Sequence, residues 1–283
     1  FTVYACLLTV TQGTSNSAKN GTTGSENTII SESDIAILDT EDMFTERDRD
    51  TEYDESECTA ISLSDEETKC DSDGVKMDGQ TVTITEGGTY LLTGSLSNGS
   101  VVVDTDKTEK VQLILENVSI INEEGAGICV EQADKVFITL ADGSTNKIVS
   151  NSFTGNEDTN IDGAIFSRED LTLNGSGTLK ITSAAHGIVS KDDLVLTGGV
   201  YQIQSEKQGL SGKESVRIAD GTFTITSGTD AIHSEDTDED TKGFVYITGG
   251  VLTLAAGGDG ISSSYVVQAD GGSFDISTSS TET

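Results

Sequence analysis

The stretch that decides the fold is His186–Ile203, HGIVSKDDLVLTGGVYQI, because its pattern returns three times further along the chain. The copies superimpose when their anchor residues are aligned, and these anchors are Gly187, Gly209, Ala231 and Gly260. The steps between anchors are 22, 22 and 29 residues, and the longest step contains a seven-residue insertion within Glu235–Gly243. An earlier copy begins at Asp162-Gly163. A fixed period with three strand-like pieces in each unit is typical of a solenoid.

Apolar and polar residues alternate inside every unit, and the apolar ones occupy three slots. The first slot holds Leu171, Leu194, Val216, Val245 and Val267; the second holds Leu179, Tyr201, Phe223, Leu252 and Phe274; the third holds Ile165, Ile188, Leu210, Ile232 and Ile261. All three slots point inward only if the chain winds as a parallel β-helix, with Gly-Gly pairs at its sharp corners. The sequence therefore predicts an all-β, right-handed parallel β-helix of about eight rungs, each of about 22 residues, with an N-terminal extension.

Composition divides the chain into residues 1–60 and residues 61–283. The first part is predicted to be a strand-like segment followed by a solvated, polar, acidic linker, and the second part is predicted to be the β-helix. The chain has 49 acidic and 16 basic residues, a net charge of −33, which excludes a nucleic-acid binder because such proteins need a basic face. No apolar run reaches the roughly 18 residues that a membrane-spanning helix needs. A surface this acidic attracts cations, and carboxylates are the ligands that Ca²⁺ prefers.

The first ten residues, FTVYACLLTV at Phe1–Val10, allow several interpretations. They are compatible with the remnant of a secretion signal, with a lipoprotein junction at Cys6, or with a strand that caps the open end of the β-helix. The same strand added to the sheet edge of a neighbouring copy would make a head-to-tail homopolymer, an extracellular filament. Cys58 and Cys70 are spaced so that they could close one small disulfide loop.

Five segments carry a resemblance to a known family. They are HGIVSKDDL at His186–Leu194, GGDGI at Gly257–Ile261, GTYLLTGSL at Gly88–Leu96, KVQLILENV at Lys110–Val118 and MFTERDRDTEYDE at Met43–Glu55. Over about residues 40–278 the chain resembles secreted bacterial carbohydrate-binding β-helix proteins. The resemblance implies a pectate-lyase-like fold, bound Ca²⁺ and a secreted or cell-surface location. It also implies binding of an acidic plant-type polysaccharide such as polygalacturonate, without cleavage.

Acidic residues in three places are candidate Ca²⁺ ligands. These candidates are Asp230, Asp259, Asp236, Asp238, Glu239, Asp240, Asp158 and Asp162. Asp230 and Asp259 occupy equivalent positions on neighbouring rungs, about 5 Å apart, where a shared cation would relieve the repulsion between two carboxylates. The aspartates of the insertion alternate as in a calcium loop, and residues 152–162 form a second, weaker acidic loop. The alternatives are an Asp that hydrogen-bonds its own turn and a solvated acidic loop.

One column of basic residues runs against the overall charge. Arg168, Lys191 and Lys213 are equivalent in three rungs, and an acidic residue follows each of them. The column is either a ladder of surface ion pairs, each worth little, or a basic stripe that meets a uronate chain. In the second case Arg217 and Tyr246, on adjacent outward slots, would add further contacts. Sugar rings usually stack on aromatic side chains, and the chain has no Trp, so acidic glycans fit better than uncharged ones.

Catalysis is the remaining alternative for this fold. A lyase of this fold needs Ca²⁺ and a base, commonly Arg or Lys, whereas a hydrolase of the polygalacturonase type needs clustered Asp residues and a His. His186 has acidic residues nearby in sequence, at Asp192 and Asp193. A lone His on a regular rung is more often a surface or turn residue, so no catalytic residue is assigned. The sequence therefore predicts calcium-dependent, non-catalytic binding of acidic polysaccharide, with a self-assembling filament as the alternative and a polysaccharide lyase as a second alternative.

Overall fold

The computed structural model describes residues 38–153 and 160–279, and within these ranges the chain is almost entirely β-structure. The elements up to the first complete coil are α1 (Glu46–Arg49), β1 (Thr59–Leu63), β2 (Val75–Asp78), β3 (Thr81–Ile84), β4 (Gly88–Leu96), β5 (Ser100–Asp104) and β6 (Lys110–Asn122). Three strands per coil follow: β7 (Ile128–Gln132), β8 (Lys135–Leu140), β9 (Thr145–Ser150), β10 (Gly163–Ser167), β11 (Asp170–Gly175) and β12 (Thr178–Ser183). The same order continues with β13 (His186–Ser190), β14 (Asp193–Leu196), β15 (Val200–Ser205), β16 (Leu210–Gly212), β17 (Ser215–Ile218) and β18 (Thr222–Ser227). The last six strands are β19 (Ile232–Ser234), β20 (Phe244–Ile247), β21 (Val251–Ala256), β22 (Ile261–Ser263), β23 (Val267–Ala269) and β24 (Ser273–Thr278).

Each coil contributes one strand to each of three faces. The first face contains β8, β11, β14, β17, β20 and β23; the second contains β9, β12, β15, β18, β21 and β24; the third contains β3, β5, β7, β10, β13, β16, β19 and β22. The long strand β6 pairs with β8 through its first half and with β9 through its second half, so it joins the first two faces at their start. The strands of each face pair in parallel, which confirms the predicted parallel β-helix.

The register confirms the three predicted inward columns. Ile188 pairs with Leu210 on the third face, Leu194 with Val216 on the first, and side chains of these columns are fully buried. On the second face the rings of Tyr201 and Phe223 stack with centroids 4.9 Å apart. Identical slots on successive coils therefore build one continuous apolar core.

The earliest copy of the repeat is aligned differently from the prediction. Gly163 pairs with His186 rather than with Gly187, so Asp162 lies one residue outside the column that His186, Gln208 and Asp230 share. The predicted corners are confirmed, because Gly199, which follows Gly198, has a φ of 98° that a residue with a Cβ rarely adopts.

Residues 38–50, which we call the N-terminal strap, differ from the solvated linker predicted for this part of the chain. The strap crosses the outer surface of the first face. At one end the Leu38 N–H donates to Gln268 Oε1 beside β23, at 3.0 Å, and further along Phe44 stacks on Tyr246 of β20 with centroids 6.0 Å apart. Asp48 then reaches Thr172 of β11, at 2.7 Å between Oδ1 and Oγ1. The strap thus covers polar and aromatic side chains that would otherwise face solvent.

The three cysteines in the described ranges are free thiols, so the disulfide loop predicted between Cys58 and Cys70 is wrong for this structure. The Cys58 thiol donates to the Asp54 carbonyl at 3.2 Å, whereas Cys70 packs against the hydrophobic core. Cys6 and the rest of Phe1–Val10 lie outside the described residues, and the capping and filament predictions made for them stay predictions. Within the described part of the chain, no helix has the length and hydrophobicity required to cross a bilayer.

Candidate functional site

The outer surface of the third face changes from apolar to polar along the stack of coils. Its outward column runs through Phe166, Val189, Ser211, His233 and Ser262. At the apolar end Phe166 and Val189 pack into a small buried cluster with Cys129. At the polar end the surface opens into a groove of about 250 Å³. The polar side chains that line this groove are Lys191, Gln208, Ser211, Lys213, His233 and Glu235.

The basic column predicted from the sequence forms one border of this groove. Lys191 and Lys213 follow the paired strands β13 and β16, so they are stacked one coil apart. Lys213 Nζ lies 2.8 Å from Asp238 Oδ2, whereas among the described residues the carboxylate nearest to Lys191 Nζ is that of Asp162, at 3.8 Å. Arg168, one coil earlier, binds Glu131 at 2.6 Å between Nε and Oε2 and is not among the groove residues. The ladder of ion pairs is therefore present, and its two lysines also face the groove.

His233 is the groove residue that the sequence analysis did not find. Its Nδ1 lies 2.7 Å from Ser262 Oγ and 3.2 Å from Asp230 Oδ2, and its Nε2 lies 3.5 Å from Glu235 Oε2. Burial opposes protonation, but the Asp230 and Glu235 carboxylates outweigh it and raise the pKa of His233. The signal that could have identified His233 is its place in the outward slot of β19, between two acidic residues of the same unit.

Asp230 and Asp259 do not face each other as two carboxylates. The Asp230 carboxylate accepts the backbone N–H of Asp259 at 2.8 Å and the Ser262 hydroxyl at 2.6 Å. Burial raises the pKa of Asp230, but hydrogen bonds from His233, Ser262 and the Asp259 N–H lower it to about 2. The Asp230 carboxylate therefore binds groups of the next coil, which differs both from the predicted hydrogen bond to its own turn and from two carboxylates that face each other.

The acidic insertion folds back on itself beside the groove. Asp236, whose side chain is only 2% exposed, accepts the N–H groups of Asp238 and Glu239 at 2.7 and 3.1 Å. The Asp238 N–H is the largest influence that lowers the pKa of Asp236. Lys213 and Lys242 place positive charges beside the carboxylates of the insertion. Lys242 Nζ lies 2.8 Å from Glu239 Oε1.

The fit of these acidic residues to a calcium ion is poor. In residues 38–153 and 160–279, no three His, Cys, Asp or Glu side chains are grouped to hold a metal ion. Asp240 is exposed, and Asp162 lies 3.4 Å from His186 Nε2. Asp158 lies outside the described residues.

His186, the residue with acidic neighbours in sequence, is not among the residues that line the groove, although it shares a column with the groove residue Gln208. Its side chain is 13% exposed, and burial is the main reason why the pKa of His186 falls to about 4. Its Nδ1 has no hydrogen-bond partner among the described residues.

Arg217 and Tyr246, predicted as glycan contacts, are covered by the N-terminal strap. Arg217 Nη1 donates to the Met43 carbonyl at 3.0 Å, and its other guanidinium groups bind Ser215 Oγ and the Asp193 carboxylate. Tyr246 is only 4% exposed. The prediction that these residues contact a ligand is wrong for this structure, because their outward slots lie on the first face, which the strap occupies.

Asp192 and Glu214 follow the two groove lysines and form a carboxyl pair that the sequence analysis treated only as acidic neighbours. Burial, together with the hydrogen bond and charge of Glu214, raises the pKa of Asp192 to about 7. Lys242 Nζ binds Glu214 Oε1 at 2.5 Å and offsets part of this negative charge. The border of the groove therefore contains a carboxyl group that retains a proton near neutral pH.

Comparison with known proteins agrees with this geometry. The family described as carbohydrate-binding domain-containing protein matches residues 78–283, and the chain belongs to this family. A curated relative with the same description, from Acetivibrio thermocellus, is 34% identical over 137 residues, which are 47% of this chain. The chain matches about half of that relative's length, 48%. A solved structure, described as the polysaccharide lyase-like protein from C. thermocellum in a gadolinium derivative, is 32% identical with a TM-score of 0.69. The match covers 77% of this chain and 94% of that one.

Proposed function

We propose that the protein binds an acidic polysaccharide in the groove of the third face, without cleaving it. The observation that carries this proposal is the position of Lys191 and Lys213, stacked one coil apart on an open border of the groove. Two ammonium groups at this spacing, about 4.8 Å along the stack, offer successive sites to an extended polyanion. Membership of the carbohydrate-binding family supports the ligand class, and the acidic specificity is our inference from the charges.

The charge of the whole protein makes a local cationic site necessary for such a ligand. With a net charge of −33, the surface repels a polyanion at long range, and only a short-range cluster of cations attracts it. Lys191 suits this role best, because its side chain is 39% exposed and the nearest carboxylate in the described part of the chain is 3.8 Å away. The protonated form of His233 would add a third positive charge on the floor of the groove.

The remaining groove residues supply neutral hydrogen-bonding groups. Gln208 and Ser211 also line the groove and can donate to or accept from sugar hydroxyls. None of the described residues that line it is Phe, Tyr or Trp, so none offers such a ring for a sugar to stack on. Recognition would therefore depend on charge and hydrogen bonds, which favours a uronate over a neutral sugar.

Binding without cleavage is proposed because the raised pKa values of Lys213 and His233 favour their protonated forms over a free base in the groove. Lys213 is held by Asp238, whose hydrogen bond is the largest cause of the raised pKa of Lys213, so it stays charged at neutral pH. His186 is neutral but is not among the residues that line the groove. A polysaccharide lyase stays the second alternative, and it predicts a rise in unsaturated-uronate absorbance when polygalacturonate is added.

Calcium dependence and an extracellular location stay predictions from the sequence. The described carboxylates bind lysines and N–H groups where the calcium loop was predicted, so the proposal uses no metal ion to explain binding. An acidic plant-type polysaccharide is an extracellular ligand, and the proposed function therefore places the protein outside the cell.

Affinity electrophoresis through gels that contain polygalacturonate tests the proposed function. We expect the wild-type protein to be retarded, and the double variant Lys191→Met/Lys213→Met to bind at least about tenfold more weakly. The matched control is Lys76→Met/Lys107→Met, which removes the same charge from exposed positions away from the groove. Equal retardation of the two double variants, or none for the wild type, would contradict the proposal. Parallel gels with Ca²⁺ and with a chelator test the calcium prediction separately.

A further inference from the structure

The outer surface of the second face is a flat, regular array of side chains. Its five strands from β9 to β21 alternate strictly, with inward residues buried and outward residues exposed or half-buried. The outward residues of these strands are Thr145, Lys147, Val149, Thr178, Lys180, Thr182, Val200, Gln202, Gln204, Thr222, Thr224, Thr226, Val251, Thr253 and Ala255. None of them is acidic, although the chain has 49 acidic residues. These five strands therefore present a non-acidic surface on a strongly acidic protein.

The central outward column of the face carries opposite charges at its two ends. In stacking order the column reads Lys147, Lys180, Gln202, Thr224, Thr253 and Asp275. The Lys147 and Lys180 side chains have no hydrogen bond or ion pair with other described residues. Reversing the column places the lysines of one copy over the aspartate end of another, so the column is complementary to itself.

We propose that the second face is the contact surface of a symmetric homodimer. A two-fold axis parallel to the strands, between β15 and β18, would place two copies face to face with their coils stacked in opposite directions. Lys147 would then meet Asp275 of the second copy at both ends of the contact, and Gln202 would meet Thr224 across the axis. Such reciprocal pairing is what an isologous contact requires.

The charge distribution of the protein favours a second copy of the chain as the partner that binds this face. Two copies with a net charge of −33 each repel wherever their acidic surfaces meet, and this face lets them approach without opposing carboxylates. The β-branched Thr and Val side chains of two such sheets can interdigitate across about 10 Å, as in sheet-on-sheet packing.

The size of the face predicts a weak dimer. Six strands span about 24 Å along the stack, and six-residue strands span about 20 Å, so two copies bury on the order of 1,000 Å² in total. This area is at the lower end of specific interfaces, which fits a contact that depends on protein concentration.

Sedimentation velocity over a wide concentration range tests the dimer. We expect the average mass of the wild type to rise from one chain towards two, and Thr224→Arg to keep the protein monomeric by placing two cations beside the axis. Lys147→Asp should weaken the dimer about tenfold, and Lys147→Asp/Asp275→Lys should restore it by exchanging the charges. Lys107→Asp, at an exposed turn away from the face, is the control. A monomer at every concentration, or a dimer that Thr224→Arg leaves unchanged, would overturn the proposal.

Discussion

The outer surfaces of the first and third faces are built by the same stacking of coils, but the N-terminal strap covers the first, whereas the third carries an open groove. On the first face, Lys135, Arg217 and Tyr246 lie beneath the N-terminal strap and bind its atoms. On the third face, Lys191 and Lys213 border an open groove. The repeat decides which side chains share a column, whereas a segment outside the repeat decides which columns meet solvent. Equivalent chemistry in two columns therefore does not imply equivalent function.

The two surfaces also differ in what their charges contribute. Asp48 of the strap is 2% exposed and binds Lys135 Nζ at 2.8 Å and Thr172 Oγ1 at 2.7 Å. Burial raises the pKa of Asp48, but Lys135 and Thr172 outweigh it and lower the value to about 2. In the groove, the lysines are about 40% exposed, and their ion pairs contribute little to folding. Charged groups thus stabilise the fold on the covered face, whereas the lysines on the open face remain available to bind a ligand.

The largest effect is expected from Asp48→Ala, which breaks the buried pair and leaves Lys135 without its partner. We expect a loss of about 3 to 5 kcal/mol in the free energy of unfolding, measured by denaturant titration. The control Asp50→Asn alters an exposed pair with Arg47 and should change stability by less than about 1 kcal/mol. Equal losses for the two variants would show that the strap does not hold the first face.

The next largest effect is expected from Arg217→Lys, which keeps the charge but loses the planar group that binds Met43, Ser215 and Asp193 together. We expect a loss of about 2 kcal/mol in stability with unchanged retardation by polygalacturonate. Weaker retardation with unchanged stability would instead show that Arg217 contacts the glycan and that the strap does not cover it.

The sequence predicts the repeated part of the molecule well, because equivalent positions in neighbouring coils have the same packing environment and therefore hold similar residues. The columns through Ile188 and Leu194, and the corner at Gly199, follow from a period of two within a period near 22. The strap was not predictable in this way, because Leu38 and Gln268 are 230 residues apart and belong to no repeat.

The candidate site was predictable only in part. The stacking of Lys191 on Lys213 followed from the repeat. The same argument failed for Arg217, because the repeat does not show which outward side chains the N-terminal strap covers. His233 was missed because the neighbouring coils hold serine, Ser211 and Ser262, at the same slot, so the repeat gave no signal for a histidine there. The capping of the Asp259 N–H by Asp230 depends on a turn geometry that composition does not specify.

A smaller effect, dependent on pH, is expected from Asp192→Asn at the border of the groove. The pKa of Asp192 is raised to about 7 in the folded protein, so the folded state binds more protons than the unfolded state between about pH 4 and 7. Asp192 therefore lowers stability as the pH rises through this range. The melting temperature of the variant, relative to wild type, should become more favourable from pH 5 to pH 8. A constant difference across this range would contradict the raised pKa.

The smallest effect on stability is expected from Lys213→Met, although it removes a groove cation. Lys213 is 41% exposed, so losing its ion pair with Asp238 should leave the melting temperature nearly unchanged. Thermal unfolding beside the wild type checks this value. A loss as large as that of Asp48→Ala would assign Lys213 to the structure of the insertion, rather than to a binding surface.

The most direct test of the contrast between the two faces is lysine acetylation, read by mass spectrometry, with and without polygalacturonate. We expect the polysaccharide to slow labelling of Lys191 and Lys213 several-fold while exposed Lys76 and Lys107 keep their rates. Lys135, covered by the strap, should label slowly under both conditions. Unchanged rates at Lys191 and Lys213 while the polysaccharide is bound would contradict the assignment of the groove as the binding site.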